Sequence, residues 1–127
     1  AGKQRGNTIT ALLTNMSQAD KIVNDSIAIA LCDGEKSKDI SLLCAKAADE
    51  LLTISDVTAS FVLGDTGEKV CISGRSIGDI NVQVILEKLG GGGHITLAGA
   101  QVEGMTLEEV KQELIIRINE YFTEIEN

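Results

Sequence analysis

Two kinds of apolar pattern alternate along this chain, and their alternation constrains the fold more than any other feature. The run SIAIALCD, residues 26–33, is short, apolar and bounded by polar residues, which is typical of a buried strand. Residues 37–54 instead place aliphatic side chains at helical spacing, with Ser37 as a candidate N-cap and Asp39 in the first turn. The predicted apolar stripe of this helix is Ile40, Leu43, Cys44, Ala47, Ala48, Leu51 and Leu52.

The middle of the chain predicts a hairpin, a helix and a further strand. The apolar runs DVTASFVLGD and EKVCISGRS are joined through residues 65–67, Asp-Thr-Gly, a sequence typical of a β-hairpin. Residues 80–90 return to helical spacing, with Asp79 as the expected N-cap and Gly90 as the left-handed residue at the C-terminal end. Residues 94–104, HITLAGAQVEG, have the pattern of a strand.

The last segment predicts a long helix, and the order of elements then indicates the fold class. Thr106 and Glu109 form a capping box at its start. Its expected buried stripe is Leu107, Val110, Leu114, Ile118, Tyr121 and Phe122. With a short amphipathic helix over residues 8–20, the order α-β-α-β-β-α-β-α predicts an α/β sandwich, a mixed sheet of about four or five strands with helices packed on it.

Charge and aromatic content argue against binding to long nucleic acids. The formal net charge is −8, whereas sequence-independent binding depends on neutralising many phosphates. Aromatic residues make up 2% of the chain, so base stacking on aromatic rings is disfavoured. Residues 68–94 nevertheless carry three basic and three acidic side chains, so a small anionic ligand is compatible with this region.

The cysteines and the hydropathy pattern indicate a protein of a reducing compartment that makes no membrane contact through this segment. Cys32, Cys44 and Cys71 lie in apolar stretches without CxxC spacing, which predicts buried free thiols. No apolar run approaches the roughly 18–20 residues that span a bilayer, and no secretory signal opens the chain.

Four consecutive glycines, Gly90 to Gly93, precede His94, the single histidine of the chain. Neither a Walker loop nor a dinucleotide fingerprint fits, since the glycines close a helix and a strand follows. Two interpretations stay open: a nest of unshielded backbone amides that binds an anion, or a flexible connector with a C-cap glycine. His94 could bind phosphate, ligate a metal, or lie buried against a carbonyl; the neighbouring glycines favour phosphate, and the lack of a second histidine disfavours metal.

A second candidate cluster is SGRSIGDIN, residues 73–81. Arg75 and Ser76 precede a predicted helix, where a guanidinium fork, a hydroxyl and polarised amides suit phosphate oxygens. A surface Arg75 paired with Asp79 is the alternative. A helix of about ten residues is about 15 Å long, so Arg75 and the glycines can hold one phosphate only if the loops fold back. Otherwise they hold separate parts of an extended ligand, or only one of them binds.

The combination of SGRS and GGGGH followed by a strand resembles the C-terminal substrate-binding subdomain of the DHH phosphoesterase superfamily. The longer run CISGRSIGDINVQVILEKLGGGGH is most similar to the subdomain of the membrane-anchored cyclic di-AMP phosphodiesterases. The resemblance covers the chain from about residue 26 to its end. It implies that residues 1–25 are a linker and short helix after a catalytic subdomain, and that 26–127 are the substrate-binding subdomain. The residues that it implies for contacts to substrate phosphate and sugar are Ser73, Arg75, Ser76, Gly91, Gly92, Gly93 and His94.

The resemblance also implies what this chain lacks. Hydrolysis in the superfamily depends on a pair of metal ions, usually manganese, held by aspartates and histidines including an Asp-His-His triplet that does not occur here. We therefore expect no metal and no hydrolysis in this chain by itself, and cleavage of cyclic di-AMP to pApA in a parent protein on the cytoplasmic side of the membrane. The alternatives are a clamp for single-stranded DNA or nano-RNA in a RecJ-like enzyme, and a non-enzymatic dimerisation module built on the last helix.

Overall fold

A mixed six-stranded sheet forms the centre of the fold in this computed structural model, which describes residues 21–22, 27–32 and 39–126. The spatial order of the strands is β1-β2-β3-β4-β6-β5. The strands are β1 (Lys21–Ile22), β2 (Ile27–Leu31), β3 (Ala59–Asp65), β4 (Val70–Ser76), β5 (Gly92–Gly93) and β6 (Leu97–Val102). Among these described strands, only β2 and β3 pair in parallel. The four longer strands form the mixed sheet that the sequence predicts, and the two-residue strands β1 and β5 extend it at its ends.

Three helices of the described ranges cover the two faces of this sheet. They are α1 (Ile40–Leu51), α2 (Val82–Glu87) and α3 (Leu107–Glu126). Side chains from α2 and α3 join one core with alternate residues of the long strands, and we call this side the α2–α3 face. The other alternate residues pack under α1, and we call this side the α1 face. The predicted α/β sandwich is confirmed.

The helical stripes and one cap agree with the sequence prediction. On α1 the fully buried positions are Ile40, Cys44, Ala47, Ala48 and Leu51, with Leu43 and Leu52 partly buried beside them. On α3 they are Val110, Leu114 and Ile118, while Leu107, Tyr121 and Phe122 pack partly buried against the same core. The capping box is present: the Thr106 amide donates to Glu109 Oε1 at 2.8 Å, and the Glu109 amide donates to Thr106 Oγ1 at 3.1 Å.

The predicted start of α2 is wrong by two residues. Asn81, not Asp79, is the N-cap, and its Oδ1 accepts a hydrogen bond from the Val84 amide at 3.1 Å. The Asn81 amide in turn donates to the Tyr121 hydroxyl at 3.0 Å, which connects the start of α2 to α3. With six residues, α2 is about 9 Å long rather than 15 Å.

The end of α2 follows the prediction. Gly90 has φ of 85°, in the left-handed region. Its amide donates to the Glu87 carbonyl at 3.1 Å, and the Gly91 amide donates to the Leu86 carbonyl at 2.9 Å. This pair of bonds is a Schellman motif, which satisfies carbonyls at a helix end.

The predicted hairpin and the predicted thiols are also present. The hairpin joins β3 to β4, and Asp65 Oδ1 accepts a bond from the Gly67 amide at 2.7 Å. Cys32, Cys44 and Cys71 are buried free thiols. A hydrogen bond with Cys32, together with burial, raises the pKa of the Cys44 thiol, so this thiol stays protonated.

Some predictions concern residues outside the described ranges. The helix over residues 8–20 and the cap at Ser37 belong to this group. Lys21–Ile22, within the segment predicted as linker and helix, pairs with β2 as β1. No helix in the described part of the chain has the length and apolarity needed to cross a membrane.

Candidate functional site

The strand register brings the two candidate motifs side by side. Ser73 on β4 pairs with Gly99 on β6, which pairs with Gly92 on β5. Neighbouring strands are 4.7–4.9 Å apart, so Ser73 and Gly92 are separated by about 10 Å across one row of the sheet. In the next row Arg75 pairs with Leu97, whose backbone exchanges hydrogen bonds with His94. The loops do fold back, and the short α2 does not separate the motifs.

An open groove on the α1 face lies between these strands and α1. The helix packs against β3 and part of β4 but leaves β6 and β5 uncovered on this side. The groove has a volume of about 470 Å³, which is within the usual range for small-molecule sites. Its lining includes Ser41, Cys71, Ser73, Gly92, Gly99 and Gln101.

Ser73 lines this groove. Its exposed fraction is 8%, and its hydroxyl has no hydrogen-bond partner among the described residues. The other two buried polar residues do have partners: Ser60 Oγ donates to the Ala48 carbonyl at 2.7 Å, and Ser76 Oγ accepts from the Gly78 amide at 2.9 Å. Because its oxygen is itself accessible from the groove, the Ser73 hydroxyl can form a hydrogen bond with a polar ligand there.

Arg75 lies on the same face, one row further along β4. Its side chain is only 12% exposed, and Nε donates to Asp49 Oδ1 at 2.9 Å. Nη1 donates to the Gly74 carbonyl at 2.9 Å. The predicted alternative, a pair with Asp79, is wrong: the partner is Asp49 on α1. A guanidinium has five N–H donors, so three of them stay available for an oxyanion.

Ser76 is not brought to the groove. It pairs with Ala59, a residue of the α2–α3 core, so strand alternation places its side chain on the opposite face from Ser73 and Arg75. Its bond with the Gly78 amide stabilises the turn after β4.

The interpretation of Gly91 to Gly93 as a nest of bare amides is wrong for Gly91 and for Gly92, whose amide is used in the hydrogen-bonded pair with Gly99. The amides of Gly90 and Gly91 close α2 and cannot donate to a ligand. Gly92 and Gly93 form the short strand β5, which neither open interpretation anticipated. Because His94 and Leu97 are a hydrogen-bonded pair, Gly93 and Ala98 are a non-hydrogen-bonded pair, and the Gly93 amide points away from β6.

Gly92 differs from Gly91 and Gly93 in the space available for a side chain. A Cβ at Gly91 would lie 2.1 Å from the Gly99 carbonyl oxygen, and a Cβ at Gly93 would lie 2.4 Å from that of Leu97. Close packing on β6 therefore requires glycine at both positions. A Cβ at Gly92 would meet nothing within 4 Å. The fold gives no steric reason for this glycine, and the free space above it is open to a ligand.

His94 is exposed at the start of the β5–β6 turn, so its predicted alternative as a buried histidine is wrong. Its ring has no hydrogen-bond partner within the described ranges. Across those same ranges no three His, Cys, Asp or Glu side chains come together as a possible metal site. The described residues around His94 therefore do not fit the two-metal centre that the resemblance implies for the superfamily.

Two parts of the site were missed by sequence reasoning. No sequence pattern pointed to Asp49 as part of the site, because its contact with Arg75 depends on how α1 lies across the sheet. Gln101, which lines the groove, accepts a hydrogen bond at its Oε1 from Lys69 Nζ at 2.8 Å. Lys69 directly precedes β4 and Gln101 lies on the neighbouring strand β6, so the contact could not be predicted without the register.

Comparison with known proteins agrees with the resemblance seen in the sequence. Residues 24–124 match the DHHA1 domain family. The chain belongs to the DHHA1 domain family. It is 52% identical over 97 residues to the cyclic-di-AMP phosphodiesterase GdpP of Geobacillus thermodenitrificans, covering 76% of this chain and 15% of that protein. It is 46% identical over 103 residues to GdpP of Bacillus subtilis, covering 80% of this chain and 16% of that protein.

The DHHA1 fold also occurs in solved structures of low sequence identity. An exopolyphosphatase-related protein from Bacteroides fragilis matches with a TM-score of 0.65 at 21% identity, covering 94% of this chain and 34% of that one. The DHHA1 chain described here spans about a sixth of the length of its curated relatives.

Proposed function

We propose that this DHHA1 domain binds the nucleotide substrate of a cyclic di-AMP phosphodiesterase. The observation that carries the proposal is the convergence on one open face of three features: the unpartnered Ser73 hydroxyl, the buried Arg75 guanidinium and the substituent-free backbone at Gly92. The identity to the two GdpP proteins supports the choice of substrate.

Each residue has a definite part in this proposal. Arg75 neutralises a phosphate through its three remaining N–H donors, and Ser73 adds a neutral hydrogen bond. Gly92 admits the ligand close to the backbone, while the outward amide of Gly93 and the exposed ring of His94 donate at the edge of the sheet. Gly91 acts by permitting the close contact with β6, and Ser76 by shaping the turn after β4.

The reaction itself belongs to the parent protein in this proposal. A manganese pair bound in its catalytic subdomain would activate the water for cleavage of cyclic di-AMP to pApA. The parent is anchored in the membrane with both subdomains on the cytoplasmic side. This chain binds and orients the phosphates.

Titration of the isotope-labelled chain with cyclic di-AMP, pApA, AMP and a short single strand tests the proposal. We expect the two dinucleotides to shift the amides of residues 73–76 and 91–97 at high micromolar concentrations or above. Stronger shifts with the single strand would favour a RecJ-like clamp. An absence of shifts in both segments with all four ligands would contradict the proposal.

A dimerisation module on α3 has less support. Tyr121 and Phe122, the aromatic residues of α3, pack against the core, and the Tyr121 hydroxyl accepts a hydrogen bond from the Asn81 amide. Shifts confined to residues 107–122 on dilution would identify such a module.

A further inference from the structure

We infer that Asp49 is a positioning residue for Arg75, fixing the guanidinium in one orientation so that its three remaining donors meet the ligand phosphate. The inference rests on the proposed function, because it needs Arg75 to be a phosphate ligand. It adds a residue on a different element, α1, to a site otherwise built from β4, β5 and β6.

Two contacts at different nitrogens hold the guanidinium. Nε donates to Asp49 Oδ1 and Nη1 donates to the Gly74 carbonyl, both at 2.9 Å. Because the group is planar, one bond at each of two nitrogens fixes its position and limits its rotation. The Gly74 carbonyl belongs to the strand that carries Arg75, so Asp49 is the contact that links the guanidinium to α1.

The turn of α1 that carries Asp49 is itself anchored to the sheet. Ser60 pairs directly with Arg75 across β3 and β4, and its hydroxyl donates to the carbonyl of Ala48, the residue before Asp49. Ala48 is fully buried. The carboxylate of Asp49 is therefore presented to Arg75 from a fixed backbone position.

The unequal exposure of Asp49 and Arg75 favours a role in orienting the guanidinium over a role in stabilising the fold. The Asp49 side chain is 67% exposed, whereas that of Arg75 is 12% exposed. A pair with one largely exposed partner contributes little to folding stability. A carboxylate beside a phosphate site also repels the ligand, so Asp49 lowers affinity through its charge while it raises affinity through its hydrogen bond.

Two substitutions separate these opposing effects. Asp49→Asn keeps an acceptor for Nε and removes the negative charge, so affinity for pApA should stay within about twofold of the original or increase. Asp49→Ala removes both, and the loss of orientation should weaken pApA binding by roughly fivefold to tenfold. Glu50→Ala, which removes a neighbouring exposed charge from α1, is the matched control and should not weaken binding.

The Arg75 side chain supplies a readout that needs no ligand. In the free protein the Nε–Hε resonance of Arg75 should be sharp and slow to exchange, should remain so in Asp49→Asn, and should broaden in Asp49→Ala. In an Arg75→Ala background, Asp49→Ala should cause no further loss of pApA affinity, as positioning requires.

The outcomes distinguish the inference from the function on which it rests. Equal or tighter pApA binding by Asp49→Ala than by Asp49→Asn would show that Asp49 only competes with the ligand, and an unchanged Nε–Hε resonance in Asp49→Ala would overturn the inference without any ligand. If Arg75→Ala leaves pApA binding unchanged, the proposed function fails instead.

Discussion

Single residues within the glycine run differ in what the fold requires of them. Gly90 ends α2 in the left-handed region, and Gly91 and Gly93 allow backbone contact with β6. Gly92 meets none of these requirements. The glycine run predicts a close approach of the backbone to another group. The sequence alone could not show that for Gly91 and Gly93 this group is the backbone of β6.

Substitution at Gly92 should therefore affect the ligand and not the fold. Gly92→Ala is expected to change the free energy of unfolding by no more than about 0.5 kcal/mol, while weakening dinucleotide binding. Gly91→Ala should destabilise the fold by about 1–3 kcal/mol, because its Cβ overlaps the Gly99 carbonyl. Urea denaturation and titration of both variants measure this difference, and equal destabilisation would refute the assignment of Gly92.

Substitution at Ser73 should likewise weaken ligand binding without lowering the free energy of unfolding. Its hydroxyl has no partner in the described part of the chain, so Ser73→Ala should leave stability unchanged or slightly raised while dinucleotide affinity falls roughly threefold to tenfold. Thr53→Ala is the control, because it removes a hydroxyl that donates to the Glu50 carbonyl at 2.6 Å outside the groove, and it should cost about 1 kcal/mol or less without changing affinity. Denaturation midpoints and binding curves compare the two, and a loss of stability in Ser73→Ala would contradict this prediction.

At the scale of elements, local signals were sufficient where the interaction is local. The capping box of α3, the β3–β4 hairpin and the stripe of α1 all depend on residues close in sequence, and all were predicted. The strand β5 was missed because two glycines have no β pattern of their own and form a strand only by pairing with β6. The cap of α2 was misplaced because Asp79 and Asn81 are both good N-cap residues, and the Tyr121 hydroxyl favours a start after Asn81.

The cap of α2 can be tested directly. Asn81→Ala removes the acceptor for the Val84 amide and should lower the free energy of unfolding by about 0.5–2 kcal/mol. Asp79→Ala should be close to neutral, since Asp79 is exposed and has no hydrogen bond within the described residues. Thermal or urea denaturation distinguishes the two, and a larger effect at Asp79 would restore the sequence-based assignment.

For the whole molecule, the fold class and the family were predictable, whereas the arrangement of the site was not. The placement of Ser73 and Gly92 in one row requires the order of β4, β6 and β5, which no local pattern encodes. Sequence placed Arg75 and the glycines at opposite ends of a longer helix. The structure places them across three strands of one sheet.

The buried thiols predict how the whole domain responds to alkaline pH. The pKa of the Cys44 thiol is raised above its ordinary value of 9.0, so in the folded chain it stays protonated while in the unfolded chain it ionises. Its contribution to stability is complete below about pH 9 and is lost as the pH rises further. Under reducing conditions the free energy of unfolding should fall from pH 8 to pH 10, with a smaller fall in Cys44→Ala. The same fall in both proteins would contradict this origin.

The outermost strands of the sheet, β1 and β5, are each two residues long in the described part of the chain. A long bare edge is a template for strands of other molecules, and a two-residue edge offers too few free donors and acceptors for such pairing. Beside the groove, the described part of the sheet can thus stay open to a ligand while its last strand offers only two residues to a strand of another molecule.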